Sequence, residues 1–290
     1  MDLCGTGKVV TRKMQARLAD TFRTMHHGPR LLLLPNAWDA MSARIFEAAG
    51  FDAVATTSGG LAWALGFPDG EQAPWNEVLA ATARIARTVR VPVTADIEGG
   101  YGETPDEVAA HVTDVIRAGA VGINLEDGTR RADLPIRSID DAVARIGAAR
   151  AAARAEGVPL VINARVDLYH KKFGDDATRF AATVRWGNAY MAAGADCIFP
   201  FGLTDLAVVA ALATALKAPI NVVGRAGMPD LSELEKLGIA RVSTASGPSL
   251  MAMSETRRIA EALHTNGSFD VLAPTTKHGD AQQLFAVRRG

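Results

Sequence analysis

The chain repeats one short phrase along its length: a helix ends on a small residue and Gly, and a brief apolar strand begins two or three residues later. Ala49-Gly50-Phe51-Asp52-Ala53-Val54, Ala118-Gly119-Ala120-Val121-Gly122-Ile123, Ala193-Gly194-Ala195-Asp196-Cys197-Ile198 and Leu237-Gly238-Ile239-Ala240-Arg241-Val242 are its copies. Glycine provides the left-handed cap that turns a helix onto a strand. Pro92, Pro159 and Pro219 stop helices at three further junctions, because proline cannot continue the hydrogen-bond ladder and pushes its predecessor to extended backbone. The junctions predict strands near 31–34, 53–57, 92–97, 121–125, 160–164, 196–200, 219–223 and 240–244, with helical patterns in every interval. The strands are continuous apolar runs, the mark of burial on both faces and of parallel pairing. Eight such units predict an α/β fold of the closed (β/α)8, TIM-barrel type rather than an open doubly wound sheet.

A length of 290 residues fits one such barrel, which routinely reaches this size as a single domain. We expect residues 1–265 to form it, N-terminal helix included, and 266–290 to be a tail that packs on a neighbouring subunit or stays loose. The net charge is −1 with both signs mixed along the chain, which offers no footprint for nucleic acid or an anionic membrane. A small-molecule partner fits better. Cys4 and Cys197 are the only cysteines, so neither a disulfide framework nor a zinc site is expected, and a reducing cytoplasm is the expected home. The N-terminus lacks the pattern of a secretory signal. The longest apolar region, Leu206 to Leu216, is too short to cross a bilayer.

In a parallel barrel the reacting groups come from the C-terminal strand ends. Here those ends are polar: Thr56-Thr57-Ser58-Gly59-Gly60, Asp96 and Glu98, Glu126 and Asp127, and Asn163, Arg165 and Asp167. Asp96 and Glu98 are two apart, so they leave the same face of a strand. Buried carboxylates resist ionising together unless a cation accompanies them. Asp96, Glu98 and Glu126 are therefore expected to hold Mg²⁺, which favours oxygen ligands and keeps several waters, with Mn²⁺ as a substitute. Any one of these acids alone is as readily a helix N-cap or a loop ion-pair partner. Likewise Ser58-Gly59-Gly60 reads alone as a tight turn, Arg165 as a partner for an acid, and Asp69 as an ordinary turn residue. Thr104-Pro105-Asp106-Glu107 predicts a capped helix start soon after Glu98. The Arg-rich connection 127–137, with Arg130, Arg131 and Arg137, is long for its place and is expected to be a lid. Gly5-Thr6-Gly7-Lys8 lacks the spacing of a phosphate loop. The six histidines show no metal-ligand spacing, and most are expected at the surface.

Taken together the motifs resemble the isocitrate lyase/phosphoenolpyruvate mutase superfamily. They are Leu34-Pro35-Asn36-Ala37-Trp38-Asp39-Ala40, Ser58-Gly59-Gly60, Gly66-Phe67-Pro68-Asp69, Asp96-Ile97-Glu98-Gly99-Gly100-Tyr101-Gly102, Leu125-Glu126-Asp127, Asn163-Ala164-Arg165 and Gly194-Ala195-Asp196-Cys197-Ile198-Phe199-Pro200. The resemblance implies a (β/α)8 barrel, Mg²⁺ dependence and enolate chemistry on α-oxo or 2-hydroxy carboxylates. It also implies a homo-oligomer, dimer or tetramer, with the last barrel helix exchanged between subunits. Carried onto this chain, it implies a metal shell of Asp96, Glu98 and Glu126, substrate binding by Ser58, Gly59, Gly60, Arg165 and Asn221, and catalytic roles for Asp69, Glu126 and Arg165.

Two departures bear on the reaction. The Lys-Arg-Cys-Gly-His loop of the lyases is replaced by Gly128-Thr129-Arg130-Arg131-Ala132-Asp133-Leu134-Pro135-Ile136-Arg137, without a cysteine. The phosphonate enzymes carry a His at the end of the sixth strand, where this chain has Phe199-Pro200-Phe201. The expectation is a Mg²⁺-dependent carbon–carbon lyase or decarboxylase for a small α-oxo or 2-hydroxy dicarboxylate. The alternatives are a phosphonate mutase or hydrolase, and a barrel that binds oxo acids without turnover.

Overall fold

The computed structural model describes residues 11–286, Lys217 excepted; Cys4 and the Gly5-Thr6-Gly7-Lys8 stretch lie outside them. In chain order the elements are α1 (Arg12–Met25), β1 (Leu32–Leu34), β2 (Asn36–Ala37), α2 (Ala40–Ala48), β3 (Val54–Thr56), α3 (Ser58–Leu65), α4 (Trp75–Thr88), β4 (Val93–Asp96), α5 (Pro105–Arg117), β5 (Gly122–Glu126), β6 (Gly128–Arg131), β7 (Leu134–Ile136), α6 (Ile139–Ala155), β8 (Val161–Val166), α7 (Asp176–Ala193), β9 (Cys197–Pro200), α8 (Leu206–Leu216), β10 (Asn221–Val223), α9 (Leu231–Lys236), β11 (Arg241–Ser243), α10 (Gly247–Asn266) and α11 (His278–Phe285). Each of the eight expected strands is present within a residue or two. Thr104 and Glu107 cap α5 reciprocally, as their spacing predicts.

Parallel pairing runs β2-β3-β4-β5-β8-β9 in one sheet and β1-β11-β10 in another. The two are one barrel wall. Pro35 separates β1 from β2 because it has no N–H for the ladder, yet its carbonyl still accepts from the Ala55 N–H at 2.9 Å. At the opposite seam Ile198 and Ile220 form a single parallel bridge, and the Ile198 N–H donates to the Pro219 carbonyl at 2.9 Å. The helices cover the outside, and a continuous core of Val, Ile, Leu and Ala fills the layer between them and the strands.

Helix α1 closes the N-terminal end of the barrel. Its buried face presents Gln15, Ala19 and Phe22, and the Gln15 amide donates to the Ile116 and Ala120 carbonyls at 2.6 and 2.9 Å. Phe22 enters where β5 has no side chain: a Cβ on Gly122 would stand 2.8 Å from the Phe22 ring. His26, expected at the surface, is buried behind this plug, its Nδ1 hydrogen-bonded to the Phe22 carbonyl at 2.8 Å. Nearby, Arg23 and Arg150 both pair with Asp196, tying α1 and α6 to the start of β9.

Within residues 266–286, α11 lies against α2 of the same chain, where the Arg44 Nε donates to the Leu284 carbonyl at 2.8 Å. Among the described residues no helix is long and apolar enough to cross a membrane. Phe22→Ala is expected to cost about 3–5 kcal/mol, the range for truncating a buried aromatic side chain, read as a lowered urea midpoint at unchanged slope.

Candidate active site

At the C-terminal end of the barrel the pleat brings the polar strand ends to one mouth. Asp96 closes β4, and its backbone N–H donates to the Thr56 hydroxyl at 2.8 Å. Its carboxylate accepts from the Ser58 N–H at 3.2 Å, so the acid sits against the first turn of α3. Ser58, Gly59 and Gly60 open that helix instead of forming a separate turn. The two glycines permit close approach. A Cβ on Gly59 would lie 3.3 Å from the Asp69 carboxyl carbon, and one on Gly60 would lie 2.8 Å from the Ser249 hydroxyl. Asp69 is thereby held at the same mouth.

Glu98 is buried with φ of +51°, and the backbones of Glu71 (+57°) and Tyr101 (+56°) are left-handed too. Such conformations cost energy for residues with a side chain and persist where surrounding contacts enforce them. Here the enforcing contacts interlock. Glu98 Oε1 accepts from the Glu71 N–H at 2.9 Å and from the Tyr101 hydroxyl at 3.2 Å, while Glu71 Oε1 accepts from the Tyr101 N–H at 2.8 Å. Glu98 Oε2 pairs with Arg130 at 2.7 Å.

Arg165, from β8, is the other organising group. It donates to both carboxylate oxygens of Asp167 at 2.7 and 3.0 Å and reaches Glu126 Oε2 at 2.6 Å. Its guanidinium carbon lies 3.7 Å from the centre of the Phe201 ring. Asp167 is itself aligned, because its N–H donates to Asp127 Oδ1 at 2.9 Å, and Asp127 Oδ2 accepts from the Tyr190 hydroxyl at 2.7 Å. Gly128 is obligatory beside this chain, since a Cβ there would fall 2.1 Å from Asp167 Oδ2. Sequence patterning does not reveal Tyr190, Glu71 or Phe201 as parts of the site. They lie on a helix and two loops, and three-dimensional packing alone brings them in.

Burial raises the pKa of Asp96, and Arg165 works against that rise. Burial pushes Glu98 up to about 7, the Glu71 N–H opposing and Asp96 reinforcing the shift. Glu126 is raised well above the carboxylate range by burial, against the pull of Arg165. Asp127 rises to about 7 from burial, with Asp167 adding repulsion. Burial and crowding thus disfavour the ionised forms of these acids, and the two arginines only partly offset that. Among the described residues no three His, Cys, Asp or Glu side chains converge on one point. Of the three acids expected at the metal site, Glu98 is paired with Arg130 and Glu126 with Arg165. The oxygen donors still suit Mg²⁺, a cation that keeps much of its water shell, and Asp96, Glu98 and Glu126 are the residues that would hold it.

The expected lid is a two-stranded antiparallel hairpin, β6 with β7. It is rooted where the Arg137 N–H donates to the Asp127 carbonyl at 2.9 Å. Arg130 alone of its arginines pairs with a mouth acid; its guanidinium crosses Gly70, where a Cβ would stand 2.4 Å from its Nε. Arg131 is exposed and pairs with Asp133, and Arg137 lies back toward Asp141 at 3.4 Å. A cavity of about 140 Å³ remains under the hairpin, lined by Glu71, Glu98, Glu126, Arg130 and Arg137 among others. Asn221 is not at the mouth. It is the first residue of β10, fully buried inside the barrel, and donates to the Ser243 hydroxyl at 3.1 Å. His170, also expected at the surface, stands at the rim with its ring 4.9 Å from that of Phe201.

Comparison with known proteins agrees with this geometry. The model of the phosphoenolpyruvate phosphomutase family matches residues 22–264. The 2-methylisocitrate lyase of Escherichia coli is 31% identical over 78% of this chain and 76% of its own. Oxaloacetate decarboxylase 2 of Pseudomonas fluorescens is 29% identical over 87% of this chain and 86% of its own. The structure of oxaloacetate acetylhydrolase with its product oxalate superposes with a TM-score of 0.83 at 25% identity, covering 93% of this chain and 94% of that one. The chain belongs to the phosphoenolpyruvate mutase/isocitrate lyase superfamily, a group of lyases and mutases built on the (β/α)8 barrel.

Proposed function

We propose that the protein is a Mg²⁺-dependent carbon–carbon lyase or decarboxylase acting on a small α-oxo or 2-hydroxy dicarboxylate in the cytoplasm. The observation that carries this reading is the presence of two arginines among the acids of one mouth. Arg165 is held by Glu126, Asp167 and Phe201, and Arg130, carried by the hairpin, pairs with Glu98. That arrangement suits a substrate with an anionic group at each end. The relatives point the same way, since 2-methylisocitrate lyase, oxaloacetate decarboxylase and oxaloacetate acetylhydrolase are named for small dicarboxylate or tricarboxylate substrates.

In this reading Arg165 and the N–H groups at the start of α3 bind the oxo-acid end, as charge-assisted hydrogen bonds to a carboxylate do. When bound, Mg²⁺ polarises the oxo group and offsets the charge that develops as the carbon–carbon bond breaks. The electron pair of that bond becomes an enolate, and preorganised cationic groups such as Arg165 stabilise it without reorganising. The closed hairpin excludes water. Helix α10 leaves Leu250, Met251 and Met253 exposed, which supports a homo-oligomer, dimer or tetramer. A second reading, phosphonate mutase or hydrolase, is favoured by the same paired arginines, because guanidinium groups recognise phosphonate as well as carboxylate.

A panel of α-oxo and 2-hydroxy dicarboxylates assayed with Mg²⁺ is expected to show cleavage. Silence across the panel, with phosphonopyruvate turned over by phosphorus NMR, would move the assignment to the second reading. Arg165→Lys is expected to lower kcat/KM roughly 100-fold or more, as for loss of one preorganised oxyanion donor. Glu126→Gln should weaken Mg²⁺ binding by roughly 10–100-fold in calorimetry, the cost of losing an outer-shell partner; unchanged affinity would refute the metal assignment.

The raised pKa values give a signed pH dependence. Folded Glu98 and Asp127 keep protons up to about 7 that the unfolded chain has already released. Their stabilising contribution is therefore present at low pH and is lost as pH rises through about 7. A cation binds the ionised forms, so the increase in Tm on adding Mg²⁺ is expected to be larger at pH 8 than at pH 6.

A further inference from the structure

Beneath the mouth the inside of the barrel is polar. Thr94, Asn124, Asn163, Asn221, Arg241 and Ser243 are all buried, and their hydrogen bonds join most of them across the lumen. Asn163 donates to Asn124 Oδ1 at 2.8 Å, Arg241 Nη2 donates to the same oxygen at 3.2 Å, and Asn221 bonds to Ser243. Arg241 starts on β11 and reaches β5, so its side chain crosses the barrel. Its Nη1 meets His26 Nε2 at 3.4 Å. That nitrogen is an acceptor, because Nδ1 is bonded to the Phe22 carbonyl and burial holds the ring neutral, its pKa lowered to about 3.

The charge of Arg241 is unusual in this molecule. Buried Arg145 and Arg179 each pair with a carboxylate, Asp141 and Asp176. Among the described residues Arg241, fully buried, is in ion-pair contact with none. Burial lowers its pKa to about 10, so it stays cationic at neutral pH, and Asp96 acts on it without touching it. The Cys197 thiol supplies no countercharge, since burial raises it to about 12. A guanidinium has five N–H donors, and the bonds to His26 and Asn124 use two of them. Its Nε has no protein partner, nor do Thr94 Oγ1, Asn221 Oδ1 and Asn163 Oδ1.

We propose that this lumen binds a small monovalent anion of halide size, seated on Arg241. A buried charge without a counterion is costly, and water would satisfy hydrogen bonds without neutralising it. As placed, Arg241 Nε and the Thr94 hydroxyl can donate and two of the orphaned atoms are amide oxygens; turning one amide leaves three donors. Arg241 Nε–H and the Thr94 hydroxyl face the lumen, and the Asn221 amide offers its NH₂ when turned, with the Ser243 hydroxyl then donating to its oxygen. Asn163 Oδ1 is fixed as an acceptor by its bond through Nδ2 and would take a companion water. The site is separate from the carboxylate-binding groups above it and does not depend on which reaction they perform.

The full-length protein crystallised from bromide tests this directly. An anomalous peak within hydrogen-bond distance of Arg241 Nε is expected; water-like density with no anomalous signal would overturn the proposal. In solution, replacing gluconate by bromide at constant ionic strength and constant Mg²⁺ is expected to raise Tm by roughly 2–4 °C. Arg241→Met should abolish that increment and Thr94→Val reduce it. If Arg241→Met does not fold, the wild-type crystal and Thr94→Val still decide. A halide increment of equal size in either folded variant, or none in the wild type, would refute the site.

Discussion

Acids crowded at one end of a parallel barrel repel one another and lose their water, and the mouth of this protein is arranged around the cations that make them tolerable. Arg165 is the central one. It bridges Glu126 and Asp167 and leans on Phe201, so two strand ends and the loop after β9 are aligned by one planar group. The ordering extends outward through Asp127 to Tyr190 on α7. A helix on the outside of the barrel thus helps set the direction of a guanidinium at its centre. Removing any link leaves a buried polar group unpaired, which is more costly than the bond itself was worth.

Much of the fold is legible in the chain because its signals are local. Gly50, Gly119, Gly194 and Gly238 all have positive φ at helix ends, and each announces the strand that follows. Burial on both faces leaves the strands no polar alternation, so parallel pairing follows too. Asp96, Glu98, Glu126 and Arg165 are legible as a group for a related reason: the barrel delivers every strand end to the same place. Asn221 shows the limit. A polar residue on a barrel strand belongs either to the mouth or to the lumen, and register against Arg241 places it in the lumen.

Other parts depend on contacts that no local pattern encodes. The β6–β7 hairpin lacks a strong two-residue turn signal, and its form follows from pairing over the acid floor. His26 looks like one of two adjacent surface histidines, yet the helix carrying it plugs the barrel and buries its ring. Glu71 reads as a loop residue, while its backbone N–H braces Glu98 directly and its carboxylate braces it through Tyr101.

The hairpin pairs with itself and not with the barrel wall, so it can swing as one stiff flap from its root at Asp127 and Arg137. Its first strand is held at the mouth by the ion pair between Arg130 and Glu98. Any molecule that enters must compete with Glu98 for that guanidinium. One with a second negative group can replace Glu98 as the partner and let the flap shut over it. A molecule without one leaves the arginine nothing new to hold. On the proposed function, admission would be decided by an exchange of partners at the door, before any bond in the substrate is broken.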